Sequence, residues 1–225
     1  MAERFAFYDL DGTLVSSNVV SQYVWYLRRL PERSLAFRRG LQLLAGLPAY
    51  AAVDVYSRRA FNIWFYRLYR GMRRDWLMEA AEGLFREVLG PAIYPGAPAL
   101  VRRDREAGYR TVLVTGSPEF ALGPLVRHFG FDLVVANVLE FDDGIATGAI
   151  RPPVVAGREK VSVLRKLCAQ YNVDSAESKA YSDSFSDLPM LEAVGRPAAV
   201  HAGPRLRRVA VARGWPLLDL RAPRS

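Results

Sequence analysis

Short apolar segments that end at turn residues recur along the chain. They run from Phe5 to Tyr8, from Thr111 to Val114 and from Leu133 to Val138, with two more around Ala180–Tyr181 and Ala198–Val200. Continuous apolar runs of this kind are typical of strands that are buried on both faces of a parallel sheet. We therefore predict a buried strand at each of these five positions.

Apolar residues with helical spacing separate the predicted strands. The predicted helices are Ala97–Ala107, Pro118–Phe129, Glu159–Tyr171 and Leu188–Val194. Glycine directly follows three of the four, as it often does where a helix ends. Strands that alternate with helices indicate the α/β class, with a doubly wound parallel sheet.

Two segments depart from this alternation. Residues 16–91 show only helical periodicity, so we predict a helical cap domain there, inserted between residues 1–15 and 92–225, which form the α/β core. In the segment Glu140–Ile145, the dipeptide Asp143-Gly144 lies between apolar residues. This pattern predicts a small antiparallel hairpin, or flap.

Most of the positive charge lies in the predicted cap. The 225-residue chain has a formal net charge of +8, and residues 16–74 contain eleven arginines, with Glu32 and Asp54 as the only acidic residues. A basic region of this kind favours an anionic partner.

Two further features bear on the location of the protein and on its cysteine chemistry. No apolar segment reaches the roughly 18 residues that a membrane-spanning helix needs, and no signal sequence precedes Asp9, so we expect a cytoplasmic protein. Cys168 is the only cysteine, which excludes an intrachain disulfide and a cysteine zinc site. Its apolar neighbours Leu164 and Tyr171 predict that it packs in the core.

Two carboxylates follow the first predicted strand, in the sequence Asp9-Leu10-Asp11-Gly12-Thr13. Oxygen ligands suit Mg²⁺, and Asp9 could supply a carboxylate oxygen while Asp11 supplies its backbone carbonyl. The Asp11 side chain would then remain free for proton transfer. A calcium-binding EF-hand is excluded, because its sixth and twelfth positions hold Leu14 and Val20 instead of Gly and Glu.

Three further polar groups come later in the chain. Thr115 and Gly116 end the second predicted strand, Lys160 begins a predicted helix, and Asp183 and Asp187 follow a later strand. Ligands of an open parallel sheet bind outside the carboxyl ends of its strands, so we expect these groups to meet the first two carboxylates there. A bound divalent cation would explain why four carboxylates gather at one place.

Each of these groups also has a purely structural interpretation. Ser117 could cap a helix that has Pro118 at its first position. Lys160 could be a solvated surface residue, and Asp187 could cap the helix that begins at Leu188.

In their order and spacing, these segments resemble the four motifs of the haloacid dehalogenase superfamily over nearly the whole chain. Asp9 and Asp11 match the first motif, Thr115 the second, Lys160 the third, and Asp183 with Asp187 the fourth. The insertion resembles a C1-type cap, and the chain is similar to subfamily IB, which contains the phosphoserine phosphatases.

The resemblance implies a phosphatase that uses an aspartyl-phosphate intermediate. Asp9 would be the nucleophile, and Asp11 would protonate the leaving group and then activate water. The implied Mg²⁺ ligands are Asp9, Asp11 and Asp183, with Asp187 behind them, and the implied phosphate-binding residues are Thr115, Gly116 and Lys160. The expected partner is a small phosphate ester.

One position argues against phosphoserine as the substrate. Phosphoserine phosphatases carry a glutamate seven residues after the second aspartate of the first motif, where it helps to hold the substrate's amino group, and this chain has Asn18 there. Asn18 cannot balance the charge of an ammonium group. We therefore expect a different phosphorylated metabolite.

Two alternative functions follow from the arginines. A membrane-lipid phosphate phosphatase, similar to phosphatidylglycerophosphatases, would use the aromatic stripe Phe61, Trp64, Phe65 and Tyr69 for peripheral contact with an anionic membrane. The favoured interpretation of the stripe is the cap's own core. A catalytically idle nucleic-acid-binding module is the other alternative, but the chain has no recognition motif, so no nucleic-acid partner is expected.

Overall fold

Within residues 3–221, which the computed structural model describes, seven strands form one sheet. They are β1 (Arg4–Tyr8), β2 (Tyr109–Pro118), β3 (Leu133–Asp142), β4 (Ile145–Arg151), β5 (Lys179–Ser182), β6 (Arg196–Val200) and β7 (Leu217–Leu218). Their order is β4-β3-β2-β1-β5-β6-β7, and all neighbours are parallel except β3 and β4. The α/β class and the five predicted strands are confirmed.

The same residues form ten α-helices. They are α1 (Val19–Arg29), α2 (Arg33–Tyr56), α3 (Arg58–Tyr66), α4 (Arg74–Glu79), α5 (Ala81–Leu84), α6 (Ala97–Glu106), α7 (Gly123–Phe129), α8 (Arg158–Gln170), α9 (Leu188–Glu192) and α10 (Pro204–Ala212). α6, α8 and α9 match predicted helices to within two residues at either end. No helix of residues 3–221 is both long and apolar enough to cross a bilayer.

Both faces of the sheet are buried, as the continuous apolar runs predicted. In β1, Ala6 and Tyr8 belong to one hydrophobic cluster, while Phe5 and Phe7 belong to the cluster on the opposite face. Cys168 lies in the second cluster, where burial raises the pKa of its thiol, and its predicted packing role is confirmed.

The predicted helix Pro118–Phe129 is wrong in its first part. β2 continues to Pro118, a 3₁₀ turn covers Glu119–Ala121, and α7 begins only at Gly123. Pro118 is extended, with φ −71° and ψ 131°, and Ser117 therefore does not cap a helix. Proline is compatible with both an extended strand end and the first turn of a helix, so local sequence did not distinguish them.

The predicted flap is confirmed as the hairpin of β3 and β4. Asp143 and Gly144 form its turn with φ values of 44° and 75°, the left-handed conformation that a tight two-residue hairpin requires. Backbone hydrogen bonds join the flap to the segment between α3 and α4. Ala146 accepts from Gly71 N–H at 2.9 Å and donates to the Met72 carbonyl at 2.8 Å.

The aromatic stripe, which follows α3 and the 3₁₀ turn Arg67–Tyr69 after it, is mostly buried. Phe61, Phe65 and Tyr69 lie in the hydrophobic core, whereas Trp64 is exposed. This supports the interpretation of the stripe as internal packing.

A close backbone approach makes Gly195 important for stability. A Cβ atom at this position would overlap the carbonyl oxygen of Ala176. We expect Gly195→Ala to lower the free energy of unfolding in urea by about 1–3 kcal/mol, because the backbone would have to move apart. Gly40→Ala in α2 is the control, since its Cβ would meet only a Leu27 methyl at 3.8 Å. The control should raise stability by about 0.5–1 kcal/mol, and an equal loss in both variants would contradict the explanation.

Candidate active site

Three of the predicted polar residues lie at the carboxyl ends of three adjacent parallel strands, and therefore at one edge of the sheet. β1 lies between β2 and β5, and Asp9 directly follows its last residue. Thr115 lies near the carboxyl end of β2, and Asp183 directly follows β5. The structure therefore places these three residues at the sheet edge where the sequence pattern predicted them.

Lys160 joins two of the carboxylates. It lies in the first turn of α8 and is 4% exposed, and its Nζ donates to Asp9 Oδ1 and to Asp187 Oδ2, each at 2.6 Å. Burial by itself lowers the pKa of Lys160, but the charges of Asp187 and Asp9 outweigh it and raise that pKa above its usual value. Lys160 is therefore a buried cation, and its interpretation as a solvated surface residue is wrong.

Asp187 does not cap α9, since its side chain makes no capping hydrogen bond. Its Oδ2 accepts from Lys160 and from the Ser182 hydroxyl at 2.9 Å. The alternative structural interpretation of Asp187 is therefore wrong as well.

Thr13 connects the loop after β1 to the loop after β5. Its hydroxyl accepts the Asp183 N–H at 3.0 Å and lies 3.1 Å from Asp9 Oδ2 and 3.0 Å from Asp183 Oδ1, so it donates to one of these carboxylates. The loops approach closely at Gly12, where φ is +86° and a Cβ would overlap the Asp183 carboxylate. Glycine is required there both for the backbone angle and for the space.

Asp11 is held by two donors in a half-buried position. Ser117 Oγ donates to its Oδ2 at 2.6 Å, and Gln22 Nε2, from α1, donates to its Oδ1 at 3.1 Å. Burial raises the pKa of Asp11 to about 7, with a smaller contribution from the charge of Asp9, although the Ser117 hydrogen bond lowers it. A carboxyl group with this pKa can give or take a proton near neutral pH.

The end of β2 is fixed by side chains from both the sheet and the helical insertion. The Gly116 carbonyl accepts from Tyr66 Oη of α3 and from Asn137 Nδ2 of β3, both at 2.8 Å. Thr115 Oγ1 accepts the Ser117 N–H at 3.0 Å, so its own proton remains available. The β2–β3 register shifts between Val114 and Pro118, the range that contains both Thr115 and Gly116.

A small cavity of about 50 Å³ lies between this edge of the sheet and the helical insertion. The predicted residues that line it are Asp9, Asp11, Gly116, Lys160 and Asp187. Thr115 and Asp183 are near the site but are not among its lining residues.

Sequence analysis missed the polar residues that the insertion contributes. Arg58 and Asn62, on α3, line the cavity, and Gln22 reaches Asp11 from α1. Arg58, Asn62 and Tyr66 follow one another at intervals of four residues, which places them on one helix face. This polar stripe beside the aromatic residues of α3 was the available signal.

The site offers carboxylate oxygens to a metal ion. Residues 3–221 contain no cluster of three or more His, Cys, Asp or Glu side chains arranged to hold one. The carboxylates of Asp9 and Asp183 nevertheless share the Thr13 hydroxyl, and burial together with the charge of Asp9 raises the pKa of Asp183 to about 7. The carboxylate oxygens of these two residues are hard ligands of the kind that suits Mg²⁺, and a cation would offset the repulsion between them.

Comparisons with known proteins agree with this geometry. The profile of the haloacid dehalogenase-like hydrolases matches residues 6–192. The inhibition of morphological differentiation protein of Streptomyces azureus is 34% identical over 221 residues, which cover 97% of this chain and 79% of that protein. Phosphoserine phosphatase SerB1 of Mycobacterium tuberculosis is 29% identical over 227 residues, which cover 98% of this chain and 72% of that protein. The crystal structure of a protein with unknown function from Bordetella pertussis Tohama I is 30% identical, with a TM-score of 0.82 over 98% of this chain and 100% of that chain.

The chain therefore belongs to the haloacid dehalogenase-like hydrolase family. The predicted resemblance is confirmed, and within this family the enzyme is a phosphatase.

Proposed function

We propose that this phosphatase is a Mg²⁺-dependent phosphomonoesterase that forms an aspartyl phosphate on Asp9, and that its substrate is a small phosphorylated metabolite. The observation that carries the proposal is the pairing of Asp9 with Asp11 in one cavity. The Asp9 carboxylate is held by Lys160 at 2.6 Å, while burial gives Asp11 a pKa of about 7. A fixed nucleophile and a carboxyl group that exchanges protons near neutral pH are the two groups that this chemistry needs.

The proposed reaction has two steps. An oxygen of Asp9 attacks phosphorus, and the protonated Asp11 gives its proton to the departing ester oxygen. Asp11, now a carboxylate, takes a proton from water as that water attacks the acyl phosphate, and phosphate is released. Gln22 and Ser117 orient the Asp11 carboxyl group in both steps through their hydrogen bonds.

The remaining site residues bind and neutralise the transferred group. Thr115, Gly116 and Lys160 are the proposed phosphate-binding residues, because they offer a hydroxyl proton, a backbone N–H and a buried ammonium group. Asp9, the carbonyl of Asp11, and Asp183 would hold Mg²⁺, with Asp187 fixing Lys160 from behind. When bound, Mg²⁺ supplies charge neutralisation for an anionic nucleophile that meets an anionic ester.

The experiment that tests this function has two measurements on the purified protein. Phosphate release is measured for p-nitrophenyl phosphate and for a panel of sugar, glycerol and nucleoside monophosphates in the presence of Mg²⁺. Reactions are then quenched in acid, and we expect a covalent phosphate on the protein that hydroxylamine removes, as an acyl phosphate requires. Phosphate release without any such intermediate would contradict the role of Asp9.

We expect L-phosphoserine to be a poor substrate. The Asn18 side-chain oxygen accepts from Val20 N–H and Ser21 N–H, each at 3.0 Å, so it caps α1. The insertion brings the cation Arg58 to the same cavity. An ammonium group that is desolvated there would lack a carboxylate of its own to offset the cost.

The measurement is kcat/KM for L-phosphoserine against glycerol phosphate and sugar phosphates at one Mg²⁺ concentration. Asn18→Asp is the matched variant, because aspartate caps a helix as well as asparagine and adds the missing charge. It should raise the ratio of phosphoserine to glycerol phosphate turnover. If phosphoserine ranks first for the unmodified enzyme, our interpretation of Asn18 is wrong.

A further inference from the structure

α2 carries a row of exposed apolar residues along its whole length. These residues, here called the α2 outer stripe, are Phe37, Leu41, Leu44, Pro48, Ala51 and Val55. Phe37, Leu41 and Leu44 are 75%, 60% and 67% exposed. Their alternating spacing of four and three residues places them on one side of the helix.

The opposite side of α2 already packs on the protein. Leu35 and Leu43 are buried, and Val53 and Tyr50 pack against the same hydrophobic cluster. A helix that is apolar on both sides is normally covered on both sides. Among residues 3–221, nothing buries the outer stripe, which indicates that a partner covers it.

The charge around the stripe distinguishes between candidate partners. Arg33 and Arg38 are exposed on α2 itself, and Asp54 is the first acidic residue of this helix. A second copy of the chain would bring another arginine-rich surface against the first, which like-charge repulsion opposes. An anionic phospholipid surface accepts apolar side chains between its acyl chains and attracts arginines at the level of its headgroups.

We propose that α2 docks the protein on an anionic phospholipid surface through the outer stripe. The helix would lie in the plane of the membrane interface, with Phe37, Leu41 and Leu44 inserted and the arginines beside them at the phosphate level. This surface is distinct from the aromatic stripe of α3, whose rings are mostly buried.

The C-terminal end of α2 lies close in sequence to a residue that lines the cavity. Its last residue, Tyr56, is two positions before Arg58, which lines the cavity. A docked α2 would therefore hold the cavity near lipid headgroups, so that phosphate esters carried by lipids become accessible in addition to the small metabolites proposed above. This consequence rests on the proposed function, whereas docking itself does not.

Flotation with phospholipid vesicles tests the docking. The purified protein is mixed with phosphatidylcholine vesicles that contain or lack phosphatidylglycerol, and the fraction that floats is measured at low and high salt. We expect binding to the anionic vesicles that weakens with salt. The double variant Leu41→Gln with Leu44→Gln should bind at least about tenfold more weakly, because two apolar side chains no longer enter the membrane.

The matched control is Val211→Gln on α10, which changes a valine that is 64% exposed in another arginine-containing helix. It should bind as the unmodified protein does. Phosphate release from p-nitrophenyl phosphate should be unchanged in all variants, which verifies that they fold. Loss of vesicle binding with normal phosphate release would then contradict docking alone, and the proposed function would stand. Absence of vesicle binding, equal loss in the Val211 control, or a dimer in light scattering that the Leu41 and Leu44 changes dissociate would overturn the proposal.

Discussion

Asp9→Asn should abolish phosphate release while the protein keeps its fold. The substitution preserves the size and shape of the side chain but replaces the attacking carboxylate oxygen with an amide that is a far weaker nucleophile. We expect kcat to fall by at least about 10³-fold, as it does when a covalent nucleophile is removed from other hydrolases.

The structure explains why the fold should survive this change. Asp9 lies at the end of β1, where Lys160 can keep its ion pair with Asp187 after the charge of Asp9 is lost. The thermal unfolding curve and circular dichroism spectrum should therefore remain close to those of the unmodified protein.

Asp142→Asn is the matched control for this experiment. Asp142 is exposed at the end of β3, away from the cavity-lining residues, and the same chemical change there should leave kcat unaltered. A rate for Asp9→Asn near that of the unmodified enzyme would exclude the covalent mechanism.

Removal of divalent cations should have an effect of similar size. The site contains the carboxylates of Asp9, Asp11, Asp183 and Asp187, of which Lys160 pairs with two, and the phosphate ester adds further negative charge. Without a cation, an anionic nucleophile must approach an anionic ester, which electrostatic repulsion opposes. Treatment with a chelator should reduce phosphate release to background, and added Mg²⁺ should restore it.

A substitution separates loss of the metal from damage to the protein. Asp183→Asn removes the charge of a proposed ligand, so the Mg²⁺ concentration that gives half-maximal activity should rise by about tenfold or more. Its circular dichroism spectrum should not change. Full activity of the unmodified enzyme in excess chelator would rule out the proposed metal site.

Some features of this enzyme follow from the sequence alone. Strands that are buried on both faces appear as continuous apolar runs, so β1 and the neighbouring strands were visible without a structure. Polar residues that directly follow such strands must meet at one edge of a parallel sheet, because the strands share a direction. Asp9, Thr115 and Asp183 could be placed together for this reason.

Other features depended on contacts between distant parts of the chain. Pro118 suits both an extended segment and the start of a helix, and the pairing of β2 with β3 selected the strand. Lys160 would be a surface residue in an isolated helix. Its burial depends on Asp9 and Asp187, which are 151 and 27 residues away in sequence.

The helical insertion combines features that are local to the chain with features that depend on packing. Periodicity identified the insertion as helical, because a repeat near 3.6 residues is a local property of the chain. It did not determine which apolar face is covered, or that Arg58 and Asn62 reach the cavity. Burial is a property of neighbours that come from elsewhere in the chain, and only the packed structure shows that the rings of α3 are mostly enclosed while the outer stripe of α2 is exposed.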